Sequence, residues 1–495
     1  MPRVPLLAGT RIAVVDVGDG GLVLRPPPPG RAIADVGAAV REALRFPLAG
    51  PPLERLATRG GTATLVVEPP HLPIPSAVWD PRQEAVAAAV DELEALGVER
   101  LTVLVATGLQ KRLSPREIGL LFRPEFRRRF RGRVIVHDAE AEDLVALGAA
   151  GAVPLRVSPA LVETDLVVAV TAAETVVAGG PSALLRCAST EAMRAAGATS
   201  LLETAGSNGW ELAVELERQL APRVPLFGVS LALHLPRVFG GYPYEEDILE
   251  RLARSRLRRA LGALPAAARG RLIDRVPREL TAAAVFGGTP SAAHTEALLR
   301  AIEFRGTALP EPLDAIVIGI PPTTASIPRG RPNPIAAAYL GLGLALRSWR
   351  SAFPVRPGGT AILLHDFKRR FPAPAQTPYR WLFADPRTAR DPAALRDAER
   401  AAAADERALA DYRAGRSVHP LEPFQLWSAC DGTLSRLGAV LVAGCRDGPS
   451  ARQLGFVPVH GVGAALGMAR GAGAERIGFL LSPPYFPLLV GGEAR

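Results

Sequence analysis

Cysteine is scarce in this chain. The three cysteines, Cys187, Cys430 and Cys445, are spread over 495 residues, and no Cys-x-x-Cys spacing occurs. A zinc site or a disulfide framework needs cysteines in such pairs or in regular sets, so neither is supported, and the scarcity indicates a reducing compartment. We expect a cytoplasmic protein.

Long apolar runs are missing as well. No stretch of the chain approaches the roughly 20 consecutive apolar residues of a membrane-spanning helix. The N-terminus also lacks the basic segment followed by an apolar run that marks a secretory signal peptide. The sequence therefore predicts a soluble protein with no membrane partner.

Aromatic residues and lysines are rare. Phe, Trp and Tyr make up 5% of the chain, which leaves few side chains on which nucleic-acid bases could stack. The net charge of +9 comes almost wholly from arginine, because Lys111 and Lys368 are the only lysines. The basic residues are scattered among acidic ones, so the charge reflects a compositional bias as much as a basic binding face. We expect no nucleic-acid partner.

Apolar residues, by contrast, make up 48% of the chain, enough for a large core in two or three domains. Strand-length apolar runs alternate with helical patterns, which is typical of doubly wound parallel sheets. The strand-like runs are residues 11–15, 63–67, 101–106, 165–170, 315–320, 360–364, 439–442 and 476–481.

The predicted architecture consists of two doubly wound α/β domains. A linker near residues 304–312 divides the chain into residues 1–303 and 304–495. Residues 244–300 follow a helical pattern. A helical insertion near residues 385–413 is rich in Ala, Arg and Asp but poor in apolar residues at helical spacing, so we expect it to be peripheral.

The most informative stretch is LVETDLVVAVTAAETVVAGGPSALLRCAS, residues 161–189. A strand-like run is followed by Gly179, Gly180, Pro181 and Ser182 and then by a helix-like segment. This order directs backbone N–H groups and the positive end of a helix dipole to one point, where an anion or cofactor can bind. The alternative is a tight turn with Pro181 at the first helical position and Ser182 as a nearby cap.

This stretch resembles the cofactor loop of the nickel-dependent lactate racemase family, in which Glu-Pro-His precedes a glycine-rich turn ending Gly-Gly-x-Lys-Ala. LTVLVATGLQK, residues 101–111, is similar to the family's Ala-Thr-Gly-x-His-Arg strand and loop. Further counterparts are ALRFPLAGPPLERLA (43–57), VIVHD (134–138), VFGGTPSAAHTEA (285–297) and RPGGTAIL (356–363). The resemblance spans most of the chain in family order and implies two lactate-racemase-like domains that face each other across a cleft.

The family attaches a nickel-pincer nucleotide to the lysine of this loop, and the chain departs from the family there. Ser182 stands at the position of the anchoring lysine. The glutamine and lysine that contact the cofactor from the second domain correspond to Ala336 and Tyr339, and the nickel-binding histidine has no counterpart. We therefore expect neither the nickel-pincer cofactor nor a metal site.

The residues that carry the family's reaction are also replaced. Gln110 stands for one acid/base histidine, and Thr175 or Val176 stands for the other. The substrate-binding Asp and Arg fall on Pro69 and Leu72. The parent reaction is therefore predicted to be absent.

Polar residues nevertheless gather where the predicted strands end, and ligands of open parallel sheets bind beyond the carboxyl ends of the strands. His365, beside Asp366, is the best acid/base candidate. With it, the residues to which we assign catalytic roles are His365, Gln110 and Lys111. Those to which we assign substrate binding are His71, Arg329, Arg331, Asn333 and Lys368. Those to which we assign cofactor binding are Gly179, Gly180 and Ser182.

Each of these candidates has a structural alternative. His71 lies among prolines and can pack in a rigid turn, and His365 can be a core or capping histidine. Arg329 and Arg331 can serve to tie down their own loop. If they bind a ligand, arginines favour a carboxylate or a phosphate, which they contact through two parallel hydrogen bonds.

The sequence predicts a lactate-racemase-like protein, by resemblance a 2-hydroxy-acid racemase or epimerase and thus an isomerase. It acts on or binds a small anionic molecule, a carboxylate or a phosphate, in the interdomain cleft. The alternatives are a catalytically silent protein that binds a small anion or a nucleotide, and a scaffold with no ligand. The sequence leaves open whether the chain is catalytic and whether it forms a homo-oligomer.

Overall fold

Two six-stranded sheets organise the chain. The structure is a computed structural model that describes residues 3–73, 77, 79–238, 241–323, 331–371 and 373–491. None of the helices in these ranges has the length and apolar content needed to cross a bilayer.

Strands are numbered in chain order. They are β1 Arg3–Ala8, β2 Arg11–Asp16, β3 Gly21–Leu24, β4 Thr62–Val67, β5 Arg100–Val105, β6 Arg133–Val136, β7 Val145–Ala150, β8 Val153–Val157, β9 Leu166–Ala172, β10 Leu226–Leu233, β11 Arg237–Val238, β12 Arg278–Glu279, β13 Ala282–Gly288, β14 Thr307–Leu309, β15 Leu313–Gly319, β16 Trp349–Arg350, β17 Val355–Leu364, β18 Leu437–Ala443, β19 Val457–Val459, β20 Ile477–Leu480 and β21 Leu488–Val490.

Helices are numbered in the same way. They are α1 Val36–Arg45, α2 Leu53–Leu56, α3 Pro81–Ala95, α4 Pro115–Ile118, α5 Pro124–Arg129, α6 Pro181–Leu185, α7 Thr190–Ala195, α8 Asn208–Leu220, α9 Glu246–Arg254, α10 Arg256–Ala263, α11 Ala266–Asp274, α12 Pro290–Arg305, α13 Pro334–Ala338, α14 Pro392–Ala403, α15 Glu406–Arg413, α16 Glu422–Ser428, α17 Asp431–Leu434, α18 Gly448–Gln453 and α19 Val462–Gly471. A π-helical turn, Tyr339–Leu344, continues α13, and a 3-10 turn, Ala345–Arg347, follows it.

The first sheet has the strand order β13-β10-β9-β4-β5-β6. The chain moves from β4 through β5 to β6 in one direction and from β9 to β10 in the other. All neighbours are parallel except β13, which is antiparallel to β10. The order reverses between β4 and β9, and open α/β sheets bind their ligands at such a reversal.

Helices cover both faces of this sheet. Leu65 and Val67 of β4 pack in one core together with α1 and α3, whereas Val66 packs in another together with α6 and α8. Successive strand residues point to opposite faces, so a strand that is apolar throughout is buried on both sides. This is the doubly wound arrangement that the sequence predicts.

The second sheet is parallel throughout, in the order β19-β18-β17-β15-β20-β3, and its order reverses between β15 and β20. Its last strand, β3, comes from the beginning of the chain. The predicted boundary between residues 303 and 304 stays a prediction, and the pairing of β3 adds the start of the chain to the second unit.

The hairpin of β1 and β2 covers the point at which the second sheet reverses. The backbone N–H of Gly9, in the hairpin turn, donates to the carbonyl oxygen of Ile320, just after β15, at 2.8 Å. The N–H of Leu7 donates to the hydroxyl of Ser482, just after β20, at 3.0 Å. This part of the carboxyl edge is therefore occupied by the protein's own backbone.

All eight predicted strands overlap observed ones, but two strands, the short β12 and β13, were taken for helix. Within the segment 244–300, residues 282–288 form β13 rather than helix. At Gly287 an added Cβ would lie 2.0 Å from the carbonyl oxygen of Ala43, which is why this strand needs small residues. A strand with five Ala and Gly residues among seven has little of the β-branched and aromatic signal by which strands are recognised.

The insertion near residues 385–413 is helical, as predicted, and most of its residues are exposed or half-buried, but two side chains fix it to the first domain. Tyr412, in α15, is fully buried, and its hydroxyl donates to the carbonyl oxygen of Gly108 at 3.2 Å and accepts from the N–H of Ala139 at 3.3 Å. Glu399, in α14, pairs with Arg194. A few well-placed side chains thus dock the insertion on the first domain.

Replacing Tyr412 with Phe should weaken this docking. The change leaves the N–H of Ala139 without its acceptor, which should cost about 1–3 kcal/mol. Tyr485→Phe is the matched control, because the hydroxyl of Tyr485 is buried and has no hydrogen-bond partner among the described residues. Thermal unfolding of both variants is the measurement, and equal losses would contradict the assigned role of Tyr412.

Candidate functional site

A cavity of about 380 Å³ lies between the two units. Its first-domain wall is formed by the segments that follow β4, β5 and β9, which places it at the reversal of the first sheet. Its second-domain wall is formed by residues 339–347 and 422–432. The volume is in the range that small-molecule sites occupy.

Arg186 lines the cavity from the first domain, directly after α6. Its Nη2 donates to the carbonyl oxygen of Thr107 at 3.1 Å, and its Nε donates to that of Ala106 at 3.4 Å. The nearest carboxylate oxygen, Oε2 of Glu68, is 3.9 Å from Nε. Because Nη1 donates to none of the described residues, one side of the guanidinium remains available for a ligand.

Arg347 lines the same cavity from the second domain. It is buried, and its hydrogen bonds go to the carbonyl oxygens of Ala429 at 3.2 Å, Thr199 at 3.4 Å and Gly343 at 3.5 Å. No carboxylate of the described residues lies within 4 Å of it. Burial lowers the pKa of Arg347 from its ordinary value. A buried cation without a counter-charge is costly, so this site favours an anionic ligand.

The segment that carries Arg347 has an unusual backbone. Residues 339–344 form a π-helical turn, which places Tyr339, Leu340 and Leu344 on the cavity wall. Such turns are uncommon and occur frequently at functional sites. Burial raises the pKa of the Tyr339 phenol, so the hydroxyl is protonated near neutral pH and can donate a hydrogen bond.

His71, a predicted substrate-binding residue, lies on the cavity wall. Both of its ring nitrogens are shielded from solvent and lack a hydrogen-bond partner in the described part of the chain. Burial, reinforced by the charges of Arg186 and Arg347, lowers its pKa to about 3. The ring is therefore neutral and has both a donor and an acceptor to offer a ligand.

Glu174 holds the loop that carries His71. Its carboxylate accepts from the backbone N–H groups of His71 at 2.6 Å and Leu72 at 2.9 Å, and from Nη1 of Arg82 at 2.9 Å. A carboxylate that receives several N–H bonds fixes a loop firmly. The glutamate of the loop after β9 thus positions the loop after β4.

Glu68, at the end of β4, is a buried carboxyl whose Oε2 has no hydrogen-bond partner among the described residues. Burial raises its pKa to about 7, and the nearby Glu174 adds to this effect, whereas Arg186 and Arg82 oppose it. A carboxyl group that titrates near neutral pH can take up or release a proton during a reaction.

Gln110 and Ser182, two further predicted residues, also line the cavity. The side chain of Gln110 makes no hydrogen bond to the described residues. The hydroxyl of Ser182 donates to the carbonyl oxygen of Val176 at 2.9 Å, so it is already engaged within the loop.

The glycine turn at residues 179–182 is packed more tightly than an anion-binding loop would require. The N–H of Gly180 donates to the hydroxyl of Thr171 at 2.9 Å, so it is not free for a cofactor. An added Cβ would lie 2.3 Å from Cβ of His294 at Gly180, and 2.5 Å from Cε1 of the same ring at Gly179. Pro181 begins the five-residue helix α6. These contacts match the tight-turn alternative, with the hydroxyl of Ser182 bonded to the loop rather than acting as a cap.

Two predicted catalytic residues, Lys111 and His365, do not line the cavity. Lys111 pairs with Glu117 at 2.7 Å in the loop before α4. Nδ1 of His365 accepts from the N–H of Phe367 at 3.1 Å, and burial lowers the pKa of His365 to about 4. The core alternative for His365 agrees with these contacts.

The predicted substrate-binding residues of the second domain lie elsewhere as well. Asn333 caps α13, since its Oδ1 accepts from the N–H groups of Ile335 and Ala336. Nη2 of Arg331 donates to the carbonyl oxygen of Ala266 at 2.6 Å, and Lys368 lies 3.7 Å from Asp366. Arg329 lies outside the described residues. The structure therefore places Asn333, Arg331 and Lys368 outside the cavity.

Sequence reasoning missed Arg186 and Arg347, although each left a signal. Arg347 is the only charged residue in the segment PIAAAYLGLGLALRSW, residues 334–349, and Arg186 ends an equally apolar turn. An isolated charged residue in such a segment is either exposed to solvent or binds a polar group, because burying a charge without a partner is unfavourable.

The packing of the glycine turn against His294 can be tested by replacing Gly180 with Ala. The positive φ alone should cost about 1–2 kcal/mol, and the collision with His294 should add about 1–3 kcal/mol. Gly206→Ala is the control, since Gly206 has a φ of +70° but open space around it. If both variants lowered the unfolding midpoint equally, the packing account would be wrong.

Comparison with known proteins gives a match on the part of the chain that forms most of the first sheet. Residues 20–189, which include β4, β5, β9 and the glycine turn, match the family model of the lactate racemase N-terminal domain. No curated protein sequence matches the chain.

Two solved structures resemble the whole chain. The lactate racemase apoprotein from Thermoanaerobacterium thermosaccharolyticum has a TM-score of 0.62 and 15% identity, over 99% of this chain and 100% of that one. A protein from Thermotoga maritima has a TM-score of 0.50 and 11% identity, over 94% of this chain and 100% of that one. At such low identity these matches establish the fold.

Proposed function

We propose that this chain, which belongs to the lactate racemase family through residues 20–189 and shares the fold of a lactate racemase apoprotein, binds a small carboxylate in its interdomain cavity. The observation that carries the proposal is that Arg186 and Arg347, from opposite sides, line one cavity, and neither has a carboxylate at hydrogen-bond distance. A guanidinium matches the two oxygens of a carboxylate with two parallel hydrogen bonds. These two arginines take the anion-binding role that the sequence suggested for Arg329, Arg331 and Lys368.

The neutral groups around the arginines favour a 2-hydroxy acid. His71, Gln110 and Tyr339 line the same cavity, and none of them has a side-chain hydrogen bond to the described residues. A hydroxyl next to the carboxylate can donate to the acceptor nitrogen of His71 and accept from the phenol of Tyr339. A buried polar site of this kind discriminates strongly against ligands that leave its groups unpaired.

The nickel-pincer nucleotide of the family does not fit the residues present. The family's attachment uses a lysine amine, whereas Ser182 offers a hydroxyl that is bonded to Val176. No set of three His, Cys, Asp or Glu side chains in the described ranges is arranged to hold a metal ion. We therefore route no step of the proposed function through this cofactor.

A second candidate function is isomerisation by proton transfer, and the near-neutral pKa of Glu68 favours it. In such a reaction a base takes the C2 proton and the C–H electron pair moves into the carboxylate as an enediolate. The guanidinium groups stabilise the added negative charge, and a proton returns to the opposite face of C2. Glu68 is the group whose pKa suits the exchange of that proton, whereas His71, with a pKa of about 3, stays neutral.

Carboxylate binding is tested by titrating lactate and other 2-hydroxy acids into the wild type and into Arg347→Gln and Arg186→Gln. A lost charge-assisted pair is worth about 1.5–3 kcal/mol, so affinity should fall about ten- to a hundredfold. Arg350→Gln is the control, since Arg350 is exposed and outside the cavity.

The same proteins should be melted without ligand, because Arg347 also bonds three backbone carbonyls. Lost stability with unchanged affinity would contradict the proposal and favour the scaffold. For any acid that binds, deuterium incorporation at C2 in heavy water separates an isomerase from a silent binding protein.

The absence of the family cofactor is a separate prediction. The purified protein should have the intact mass of the unmodified chain and no stoichiometric nickel, because Ser182 cannot form the lysine linkage. A mass increase that corresponds to the nucleotide, together with bound nickel, would contradict this.

A further inference from the structure

Four arginines, Arg269 and three whose charges lower its pKa, are grouped beside the carboxyl edge of the second sheet. None of them lines the interdomain cavity. We call them the arginine cluster: Arg11 at the start of β2, Arg269 in α11, Arg331 before α13 and Arg446 after β18. They come from four distant parts of the chain, so only the fold brings them together.

The fold places this cluster beside the reversal of the second sheet. The hairpin of β1 and β2 reaches over that point, where the N–H of Gly9 donates to the carbonyl oxygen of Ile320 at 2.8 Å. The hairpin turn presents Thr10 and Arg11 there.

Arg269 is the central member of the arginine cluster and is only 5% exposed. Its Nε donates to the hydroxyl of Thr10 at 3.2 Å, and its Nη1 donates to the carbonyl oxygens of Gly262 at 3.2 Å and of Leu264. Nη2 donates to none of the described residues. These bonds fix the guanidinium plane and leave one nitrogen for a ligand.

Arg331 lies along the same helix. Its Nη2 donates to the carbonyl oxygen of Ala266 at 2.6 Å, one turn before Arg269. The same nitrogen would lie 3.0 Å from a Cβ added at Gly270. The absent side chain at Gly270 thus leaves room for this second guanidinium beside α11.

The charges of the arginine cluster are not compensated within the described part of the chain. None of its four members has a carboxylate oxygen within 4 Å, whereas Arg3, in the same hairpin, pairs with Asp16 at 2.8 Å. The carboxylate of Asp366 is closest to Lys368, at 3.7 Å, and Asp447 accepts from the N–H groups of Arg369 and Ser450.

The positive charges of the other three arginines affect the pKa of Arg269. Burial, together with the positive charges of Arg11, Arg331 and Arg446, lowers its pKa from the ordinary value. A buried cation among like charges destabilises the fold unless an anion occupies the space between them.

We propose that the arginine cluster binds the phosphate groups of a small phosphorylated molecule. A single carboxylate has too few oxygens and too little charge for four guanidinium groups. A diphosphate presents more oxygens and a larger negative charge, and arginine is well suited to bind phosphate through paired hydrogen bonds. This site is independent of the carboxylate cavity and does not rest on its function.

The probe is inorganic pyrophosphate, titrated calorimetrically into the full chain, with adenosine diphosphate in a parallel arm. Saturable binding by the wild type is expected, with a loss of about tenfold in Arg446→Gln and in Arg11→Gln. Both residues are exposed, so these variants should fold even if Arg269→Gln does not. Tighter binding of the nucleotide would identify a nucleotide source of the phosphate, and equal binding would identify free polyphosphate.

Two controls decide the result. Arg3→Gln removes an exposed arginine of the same hairpin that is already paired, and Arg347→Gln alters the carboxylate cavity, so both should bind pyrophosphate as the wild type does. Absence of saturable binding by the wild type, or an equal loss in Arg3→Gln, would overturn the proposal. Neither outcome would bear on the titrations of 2-hydroxy acids.

Discussion

The reversal of strand order is the constraint on which both candidate sites depend. A doubly wound sheet has one point at which successive connections leave in opposite directions, and a crevice opens there. In the first sheet the crevice lies between β4 and β9 and is lined by His71 and Ser182. In the second sheet it lies between β15 and β20 and is covered by the hairpin of β1 and β2. The same topology thus gives an open cavity at the first sheet and, at the second sheet, a crevice that the hairpin of β1 and β2 fills.

Uncompensated arginine charge is the second common element. Most arginines of the chain that form ion pairs do so near the surface, where such pairs contribute little to stability. Arg347 and Arg269 are instead held by carbonyl and hydroxyl oxygens, which orient a guanidinium without neutralising it. Arg186 is likewise held by carbonyl oxygens, and its nearest carboxylate oxygen, on Glu68, is 3.9 Å away. A cation that is oriented in advance and not neutralised loses little freedom when an anion arrives, and this is what preorganisation means for a binding site.

Much of the fold could be predicted from the sequence, because buried parallel strands are apolar throughout and β4, β5 and β9 have this signature. Only the first-domain half of the site could be predicted. His71, Gln110 and Ser182 follow strands of the first sheet, and the carboxyl ends of parallel strands lie at one edge. Which edge of the second domain faces that half depends on how the domains pack, and the hairpin covers the edge near Asn333. Arg347 reaches the cavity through a π-helical turn, and no sequence pattern in residues 339–344 predicts that turn.

The path of the chain has a mechanical consequence. Because β3 pairs with β20 and the chain then builds the first sheet before it returns through β14, the first domain is an insertion in the second and is joined to it by two crossings. The two crossings run side by side, where the hydroxyl of Thr307 donates to the carbonyl oxygen of Arg25 at 2.9 Å. Two adjacent connections restrict twisting and sliding of one domain against the other, but they permit rotation about the line that joins the two connections. Rotation about that line is therefore the relative motion of the two domains that the two connections restrict least.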